Sequence, residues 1–347
     1  MNILILTGHL GFGHYSAAEA IKESILEEHP LYKVRIIDFI DYIFPNISKL
    51  IYSIFNFTVF KCHRLYNIIN RFARKSSKVP LKTVVAKKIE KLLDENSVDM
   101  IISVLPICTQ YISAYKKMTG NQITLNTCIT DIEAHEEWIS AETNRYYVAS
   151  PLTKFYLEER GVATSKISIT GIPVKTQFQK VEKTHTHNKI LIMGGGLGLI
   201  PSTDEVLDYF ENDSDYEVTI ITGNNKRLFD RLVAKYKNIE VIGFTNEVYR
   251  YMKDADLIIT KAGGITMFEA IHMETPILMM RPFLTQEVGN AKFIETYKIG
   301  RVIWNKGIIC SNDVISLLGD TERLSTMRMN MRKFKSSLVE TSYTRVD

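Results

Sequence analysis

A glycine-rich run between the first predicted strand and the first predicted helix ends in a histidine, His14. Glycines let the backbone turn tightly and approach a ligand, and the start of a helix offers unpaired N–H groups. A histidine there can act as a general base near neutral pH, although a capping or structural histidine fits the same spacing. Asp131 follows another predicted strand, and ligands bind at the carboxyl ends of parallel strands. The sequence therefore predicts His14 as a general base, with Asp131 orienting it or sharing its role.

A second group of residues follows the predicted strand Leu257–Thr260 and has the side chains that hold a nucleotide. Gly263 and Gly264 open a helix whose backbone N–H groups, together with the Thr266 hydroxyl, can hold phosphate. Glu269 lies one turn into that helix, and its carboxylate can accept hydrogen bonds from both hydroxyls of a ribose. A solvated helix glutamate is the plainer interpretation of Glu269, but the preceding glycines favour the binding one.

Two further segments of the second half could complete such a site. Gly195 and Gly196 follow its first strand, where a diphosphate can approach the backbone, and a tight strand–helix turn explains them equally well. Gln286, Glu287 and Asn290 follow a later strand, and their side chains suit the hydroxyls of a sugar.

Neither a metal site nor a resident cofactor is predicted. The first glycine loop lacks the third glycine of a dinucleotide fingerprint, and Asp38 is the one acidic residue at the end of the second strand. His185 and His187 have a spacing that metal sites use, but they lie in a presumed linker without clear partner ligands.

Short apolar strands alternate with longer helical patterns along all 347 residues, six strands in the first half and five in the second. This alternation is typical of parallel sheets covered by helices, and the length favours two domains. We expect an α/β protein with two doubly wound, Rossmann-like domains. The expected boundaries are 1–175, a linker at 176–188, 189–320 for the second domain, and a C-terminal helical segment at 321–347.

The net charge of +4 hides one strongly basic segment. Residues 42–89 contain no Asp or Glu but ten Lys and Arg, and their apolar residues recur at helical spacing. The longest uncharged run, residues 50–60, has 11 residues, whereas a spanning helix needs about 20. The segment suits the surface of an anionic bilayer; an ordinary helix pair with solvated lysines is the alternative. No motif that reads nucleic acid accompanies the charge.

Composition and termini bear on class and compartment. The chain has 45% hydrophobic and 24% charged residues, a composition typical of globular proteins. Disorder, collagen and coiled coil are therefore excluded as its main architecture. The four cysteines are far apart and form no CxxC pair, which suits a reducing cytoplasm. The N-terminus lacks a basic segment and is predicted as a strand, not a signal peptide.

Taken together, these motifs resemble the inverting glycosyltransferases that make glycosyldiacylglycerols. That family includes bacterial processive diacylglycerol glucosyltransferases and monogalactosyldiacylglycerol synthases, and the lipid-linked N-acetylglucosaminyl transferase of peptidoglycan synthesis is a more distant relative. The resemblance extends from Met1 to about Ile303. Its motifs are Gly11-Phe12-Gly13-His14, Thr130-Asp131, Tyr146-Tyr147-Val148-Ala149, Thr170-Gly171-Ile172-Pro173, Ile259-Thr260-Lys261-Ala262-Gly263-Gly264-Ile265-Thr266, Glu269-Ala270 and Gln286-Glu287 with Asn290.

The resemblance implies a GT-B fold, in which two Rossmann-like domains face a cleft and a final helix crosses back to the first domain. It implies that Gly263, Gly264 and Thr266 hold the diphosphate of a uridine diphosphate sugar. It also implies that Glu269 binds the ribose and that Gly243 and Phe244 lie near the uracil. Three further residues would lie near the sugar: Gln286, Glu287 and Asn290. His14 is the catalytic candidate of the first domain. The residues expected at the acceptor and the membrane are Phe12, Phe55, Phe57, Phe60, Arg64, Arg71, Arg74 and Lys75.

The expected function is transfer of glucose or galactose from a UDP-sugar to diacylglycerol with inversion, giving a β-glycosyldiacylglycerol. The enzyme would be cytoplasmic and peripherally attached to the inner face of the cell membrane. The alternatives are a UDP-sugar 2-epimerase, an N-acetylglucosaminyl transferase acting on another lipid, and a nucleotide-sugar-binding subunit without catalysis. Phe12 stands where relatives often carry a small or polar residue, which bears on how the acceptor fits near His14.

Overall fold

The computed structural model divides the chain into two compact units. One unit comprises Met1–Thr176 with Leu338–Asp347, and the other comprises Gln177–Ser337. The structure describes residues 1–10, 13–61, 80–179, 188–200, 204–282, 284–304, 309–339 and 342–345. Most of the expected linker, residues 180–187, therefore lies outside the described residues.

The first unit is a six-stranded parallel sheet with the strand order β2-β1-β3-β4-β5-β6. Its strands are β1 Asn2–Thr7, β2 Lys33–Asp38, β3 Met100–Ser103, β4 Thr124–Cys128, β5 Arg145–Val148 and β6 Ile167–Ile169. Its helices are α1 Gly13–Glu28, α2 Phe39–Ile43, α3 Ser48–Lys61, α4 Lys82–Asn96, α5 Pro106–Thr119 and α6 Pro151–Glu158. The central strands are apolar and buried on both faces, as parallel strands covered by helices are.

The second unit repeats this architecture with the strand order β12-β11-β10-β7-β8-β9. Its strands are β7 Lys189–Met193, β8 Glu217–Ile221, β9 Glu240–Ile242, β10 Leu257–Thr260, β11 Ile277–Met279 and β12 Gly300–Val302. Its helices are α7 Asp204–Glu211, α8 Lys226–Lys235, α9 Val248–Asp254, α10 Gly264–His272, α11 Thr285–Thr296, α12 Ser311–Gly319 and α13 Thr321–Ser336. Strand β12 is additional to the five that the sequence predicted.

Each sheet has one point at which the strand order reverses. In the first unit the chain leaves β1 toward β2 and returns to β3 on the other side of β1. In the second unit β7 leads toward β8, whereas β10 pairs with the opposite edge of β7. Ligands of open α/β sheets bind outside the carboxyl ends of the strands at such switch points. The loops that follow β1 and β3, and those that follow β7 and β10, are therefore the places to look for a site.

The C-terminal segment divides between the units. Helix α13 packs in the second unit, where the ring of Phe334 makes edge contacts with Phe268 and Phe293. The residues after it join the first unit, where Tyr343 packs edge-on against Tyr147, with 4.9 Å between ring centroids. Helix α13 thus belongs to the second unit and the tail after it to the first. The apolar face of α13 buries its side chains in its own unit.

Candidate functional site

His14 is the second residue of α1, directly after the glycine loop that follows β1. Its ring atom Nδ1 lies 3.0 Å from Oγ1 of Thr130, which comes two residues after the end of β4. This contact joins the start of the first helix to the carboxyl edge of the sheet. When Nδ1 carries the proton and donates it to Thr130, the other ring nitrogen, Nε2, is left as an acceptor.

Burial makes the imidazole of His14 lose its added proton more readily than that of a histidine in water. Desolvation lowers the pKa of His14 below 6.5, and the nearby Asp131 carboxylate and the Val104 backbone oppose that effect without reversing it. The imidazole is therefore neutral at pH 7, which is the state that a general base requires.

The side chain of Asp131 is held by a tryptophan. Trp138 Nε1 donates a hydrogen bond of 3.0 Å to Oδ2 of Asp131, and the Trp138 ring is fully buried with its centroid 6.5 Å from that of His14. The His14 ring has hydrogen-bonding contacts with the Thr130 hydroxyl and with the backbone of Val104. Asp131 influences His14 through its charge. The sequence placed Thr130 only at the end of a strand, and no local signal pairs it with His14.

In the second unit, Gly263 is the residue that precedes α10, with extended backbone angles (φ −86°, ψ 130°). The carbonyl of Lys261 accepts a hydrogen bond of 2.8 Å from the Gly263 N–H, so that the turn after β10 is tight. Thr266 and Glu269 lie on the first turns of α10 and are both buried, 8% and 9% exposed. The predicted phosphate and ribose residues thus lie on one helix at the switch point, and Glu269 is not the solvated glutamate of the plainer interpretation.

The glycine loop after β7 is folded against the turn that follows β8. The N–H of Asn224 donates to the Gly196 carbonyl at 2.9 Å, and the Asn225 side chain donates to the Gly198 carbonyl at 3.2 Å. Gly195 adopts a left-handed conformation with φ of 68°, which L residues other than glycine rarely take. The loop is therefore a tight turn, and it also borders the switch point because β7 pairs with β10.

The predicted sugar-binding residues lie at the start of α11. Glu287 is buried, and its Oε2 accepts a hydrogen bond of 3.2 Å from the N–H of Leu284, while Oε1 pairs with Lys261 at 3.2 Å. Asn290 donates to the carbonyl of Ala262 at 2.8 Å and so ties α11 to the turn after β10. The side chain of Gln286 lies outside what the structure describes. No role was predicted for Lys261, although it is the first residue after a buried strand at the switch point.

Gly243 and Phe244 follow β9, the outer strand on that side of the sheet. Phe244 is 52% exposed. The structure places both residues at the same edge of the sheet as the glycine loop, because all six strands are parallel, but two strands away from β7.

Helix α3 carries an exposed apolar face. Ile47, immediately before it, and Leu50, Ile54 and Phe57 along it are 48–59% exposed and recur every three or four residues. Phe55 is half-buried, on the other side of the helix. No helix in the described part of the chain is long and apolar enough to cross a membrane. Of the other expected membrane residues, Phe12, Arg64, Arg71, Arg74 and Lys75 lie outside the described residues, as does the side chain of Phe60.

Comparison with known sequences divides the chain between two family profiles. The profile of monogalactosyldiacylglycerol (MGDG) synthase matches residues 14–174, and that of the glycosyltransferase family 28 C-terminal domain matches residues 189–336. Among curated relatives, the processive diacylglycerol β-glucosyltransferase of Bacillus subtilis is 26% identical over 363 residues, covering 95% of this chain and 90% of that protein.

Solved structures agree on the fold. The chain is similar to Acinetobacter baumannii MurG with a TM-score of 0.61 and 15% identity, covering 98% of this chain and 96% of that one. A putative UDP-N-acetylglucosamine 2-epimerase from Listeria monocytogenes gives a TM-score of 0.60 at 14% identity, covering 95% and 91%. The predicted GT-B fold, with its two Rossmann-like sheets, is thereby confirmed. The fold alone does not separate transferase from epimerase, because the same architecture supports both chemistries.

Proposed function

We propose that this chain transfers a hexose from a UDP-sugar to diacylglycerol with inversion. The proposal rests on family membership, because the chain belongs to the glycosyltransferases that join an MGDG synthase domain to a family 28 C-terminal domain. The product would be a β-glycosyldiacylglycerol. The observation that carries the proposal is the neutral His14, held by Thr130 at the switch point of the unit that matches MGDG synthase. The similarity to a curated diacylglycerol β-glucosyltransferase supports the same acceptor.

The donor would bind at the switch point of the second unit. The N–H groups at the start of α10, following Gly263 and Gly264, would bind the diphosphate, and the helix dipole would favour its negative charge. The buried carboxylate of Glu269 would bind the ribose, and Gly243 with Phe244 would lie toward the uracil. Glu287 and Asn290, with Gln286, would be nearest to the sugar.

In the transfer step, the acceptor hydroxyl oxygen forms a bond to the anomeric carbon while the bond from that carbon to the UDP oxygen breaks. His14 takes the hydroxyl proton on its unprotonated ring nitrogen, since the lowered pKa keeps the imidazole neutral before the reaction. The charge of Asp131 stabilises the imidazolium that forms. Attack from the face opposite to the leaving UDP converts an α-linked donor into a β-linked product.

The acceptor would be reached at a membrane surface. Diacylglycerol stays in the bilayer, so the enzyme must bring its first unit to it. The exposed apolar face of α3 and the exposed Lys49 beside it have the character of a helix that lies in the interface of an anionic membrane. Leu81 and Val84 at the start of α4 are also exposed, with Lys82 between them. We therefore place the protein at the cytoplasmic face of the cell membrane as a peripheral enzyme.

Replacement of His14 by alanine tests this assignment. Transfer from a UDP-hexose to diacylglycerol vesicles should fall about 10²–10⁴-fold, the usual contribution of a general base, while UDP affinity stays unchanged. His29→Ala, in the turn after α1, is the matched control and should keep the parental rate. Full transfer by the His14→Ala protein would remove His14 from the mechanism, and loss of UDP binding would mean that the variant is damaged beyond its first unit.

The epimerase alternative is not adopted, because residues 14–174 match the profile of a lipid glycosyltransferase. An assay with UDP-N-acetylglucosamine separates the alternatives directly. An epimerase would convert the free nucleotide sugar without any lipid, whereas the proposed hexosyltransferase would leave it unchanged when no lipid acceptor is present.

A further inference from the structure

Lys261 is the first residue after β10, at the switch point of the second unit. Its side chain lies next to Gly195, in the loop after β7, and next to Gly263, in the turn after β10. A Cβ added at Gly195 would lie 3.3 Å from Lys261 Cε, and one added at Gly263 would lie 3.5 Å from Lys261 Nζ. A Cβ at position 195 would crowd the lysine, whereas one at position 263 would lie at an ordinary contact distance, so the glycine at 195 is the one that leaves room for the lysine.

The ammonium of Lys261 has a fixed position. Its Nζ lies 3.2 Å from Oε1 of Glu287, whose side chain is only 7% exposed and whose other oxygen is held by the N–H of Leu284. A carboxylate buried to this extent requires a positive partner, so the ion pair keeps the ammonium next to the glycine loops. The Lys261 side chain itself remains 24% exposed. An ammonium has three N–H donors, so pairing with Glu287 leaves donors for a second anion.

A third observation marks the same place as a binding site. Asn290 is 5% exposed, and its Nδ2 donates to the carbonyl of Ala262, the residue after Lys261. Among the residues that the structure describes, its Oδ1 has no hydrogen-bond partner. A buried acceptor without a partner is costly, and a hydroxyl of a bound ligand would satisfy it.

The sizes of the charges show what Lys261 adds. The start of α10 offers the equivalent of about half a positive charge, whereas a lysine offers a full one. A diphosphate carries at least two negative charges, and its negative charge increases when the bond to the sugar breaks. The helix start alone therefore compensates only a minor part of that charge.

We propose, on the premise of the donor site described above, that Lys261 pairs with the diphosphate of the UDP-sugar and that Glu287 is a positioning residue that holds the ammonium in place. Lys261 would then bind the donor and stabilise the departing UDP. Glu287 acts through the lysine in this role, in addition to lying near the sugar.

Binding of uridine, UMP and UDP by calorimetry tests the proposal, because the three ligands differ only in phosphate. Lys261→Met keeps the length of the side chain and removes the charge. Its affinity for UDP should fall about 10–100-fold while its affinity for uridine stays within about twofold, as expected for the loss of a charge-assisted contact. Lys261→Arg should recover most of the UDP affinity. Lys237→Met, at an exposed lysine of the same unit, is the control and should bind all three ligands as the parent does.

A double variant guards against a folding defect, because Lys261→Met leaves Glu287 without its cation. Lys261→Met combined with Glu287→Gln removes both charges and should show the same selective loss for UDP. Equal affinity of the parent and both variants for UDP would overturn the role of Lys261 but leave the donor site standing. A parent protein that binds neither uridine nor UDP would overturn the donor site and this proposal together.

Discussion

The imidazole of His14 and the hydroxyl of Thr130 are 3.0 Å apart, although 116 residues separate them in the chain. This contact fixes the ring at the carboxyl edge of the first sheet. Thr130→Val keeps the shape of the side chain and removes the hydrogen bond. We expect kcat for transfer to fall about fivefold, since one hydrogen bond contributes about 1 kcal/mol, while UDP affinity is unchanged.

Thr130→Ser is the matched control, because it keeps the hydroxyl and should retain most of the rate. Steady-state kinetics with saturating UDP-sugar measure both variants. A valine variant as fast as the serine variant would show that Thr130 does not orient His14.

Gly198 tests how tightly the second glycine loop is packed. It has φ of 61°, and a Cβ there would overlap the carbonyl oxygen of Thr222. Gly198→Ala should therefore lower the free energy of unfolding by about 2–4 kcal/mol, the sum of a left-handed alanine and a displaced backbone. Gly120 has φ of 72° with nothing within 4 Å of an added Cβ, so that Gly120→Ala should cost only about 1 kcal/mol. Equal losses in urea unfolding would refute the packing argument.

His272 should make the protein less stable in mild acid. Burial, with a smaller contribution from the charge of Lys335, lowers the pKa of His272 to about 4, against 6.5 for the unfolded chain. The unfolded state therefore binds a proton between these values that the folded state does not. Stability should fall as the pH drops from 6.5 to 4, by at most about 1.4 kcal/mol per pH unit from this residue.

His272→Gln removes this group, and its unfolding free energy should depend less steeply on pH over that interval. Urea unfolding at several pH values measures the two slopes. Identical slopes in the parent and the variant would mean that His272 is not buried as the structure has it.

Leu50 tests the membrane face of α3. It is 59% exposed in the middle of the apolar stripe, so Leu50→Glu should leave the melting temperature within about 1 °C while weakening binding to anionic vesicles. The expected loss is about tenfold or more, since an apolar contact is replaced by a charge of the same sign as the lipid. Leu31 is 95% exposed in the turn before β2, and Leu31→Glu is the control. Equal vesicle binding by both variants in a sedimentation assay would rule out α3 as the docking face.

The sequence predicted the two sheets well because the deciding signals are local. Strands such as β1, β7 and β10 are short continuous apolar runs, and glycine loops follow the first two, so strand, turn and helix can be identified within a few residues. Strand β12 was missed because it is three residues long and begins with Gly300, which leaves no periodicity to detect.

The contacts within the candidate sites could not be predicted in the same way. Thr130 reaches His14, and Glu287 reaches Lys261, only because the sheet order brings separate strand ends together. The same holds for α13. The helical spacing of its apolar residues predicts the buried face, which consists of Leu324, Met327, Met331 and Phe334. The unit in which that face is buried depends on the tertiary fold. Spacing along a chain predicts the faces of an element, and the partner of each face follows from topology.

Incubation with radiolabelled UDP-glucose or UDP-galactose and diacylglycerol vesicles, followed by lipid extraction and analysis of the anomeric linkage, tests the central claim most directly. We predict a labelled glycolipid with a β-linked hexose, formed only when diacylglycerol is present. Label that stays in the aqueous phase with both donors, or an α-linked product, would contradict the account.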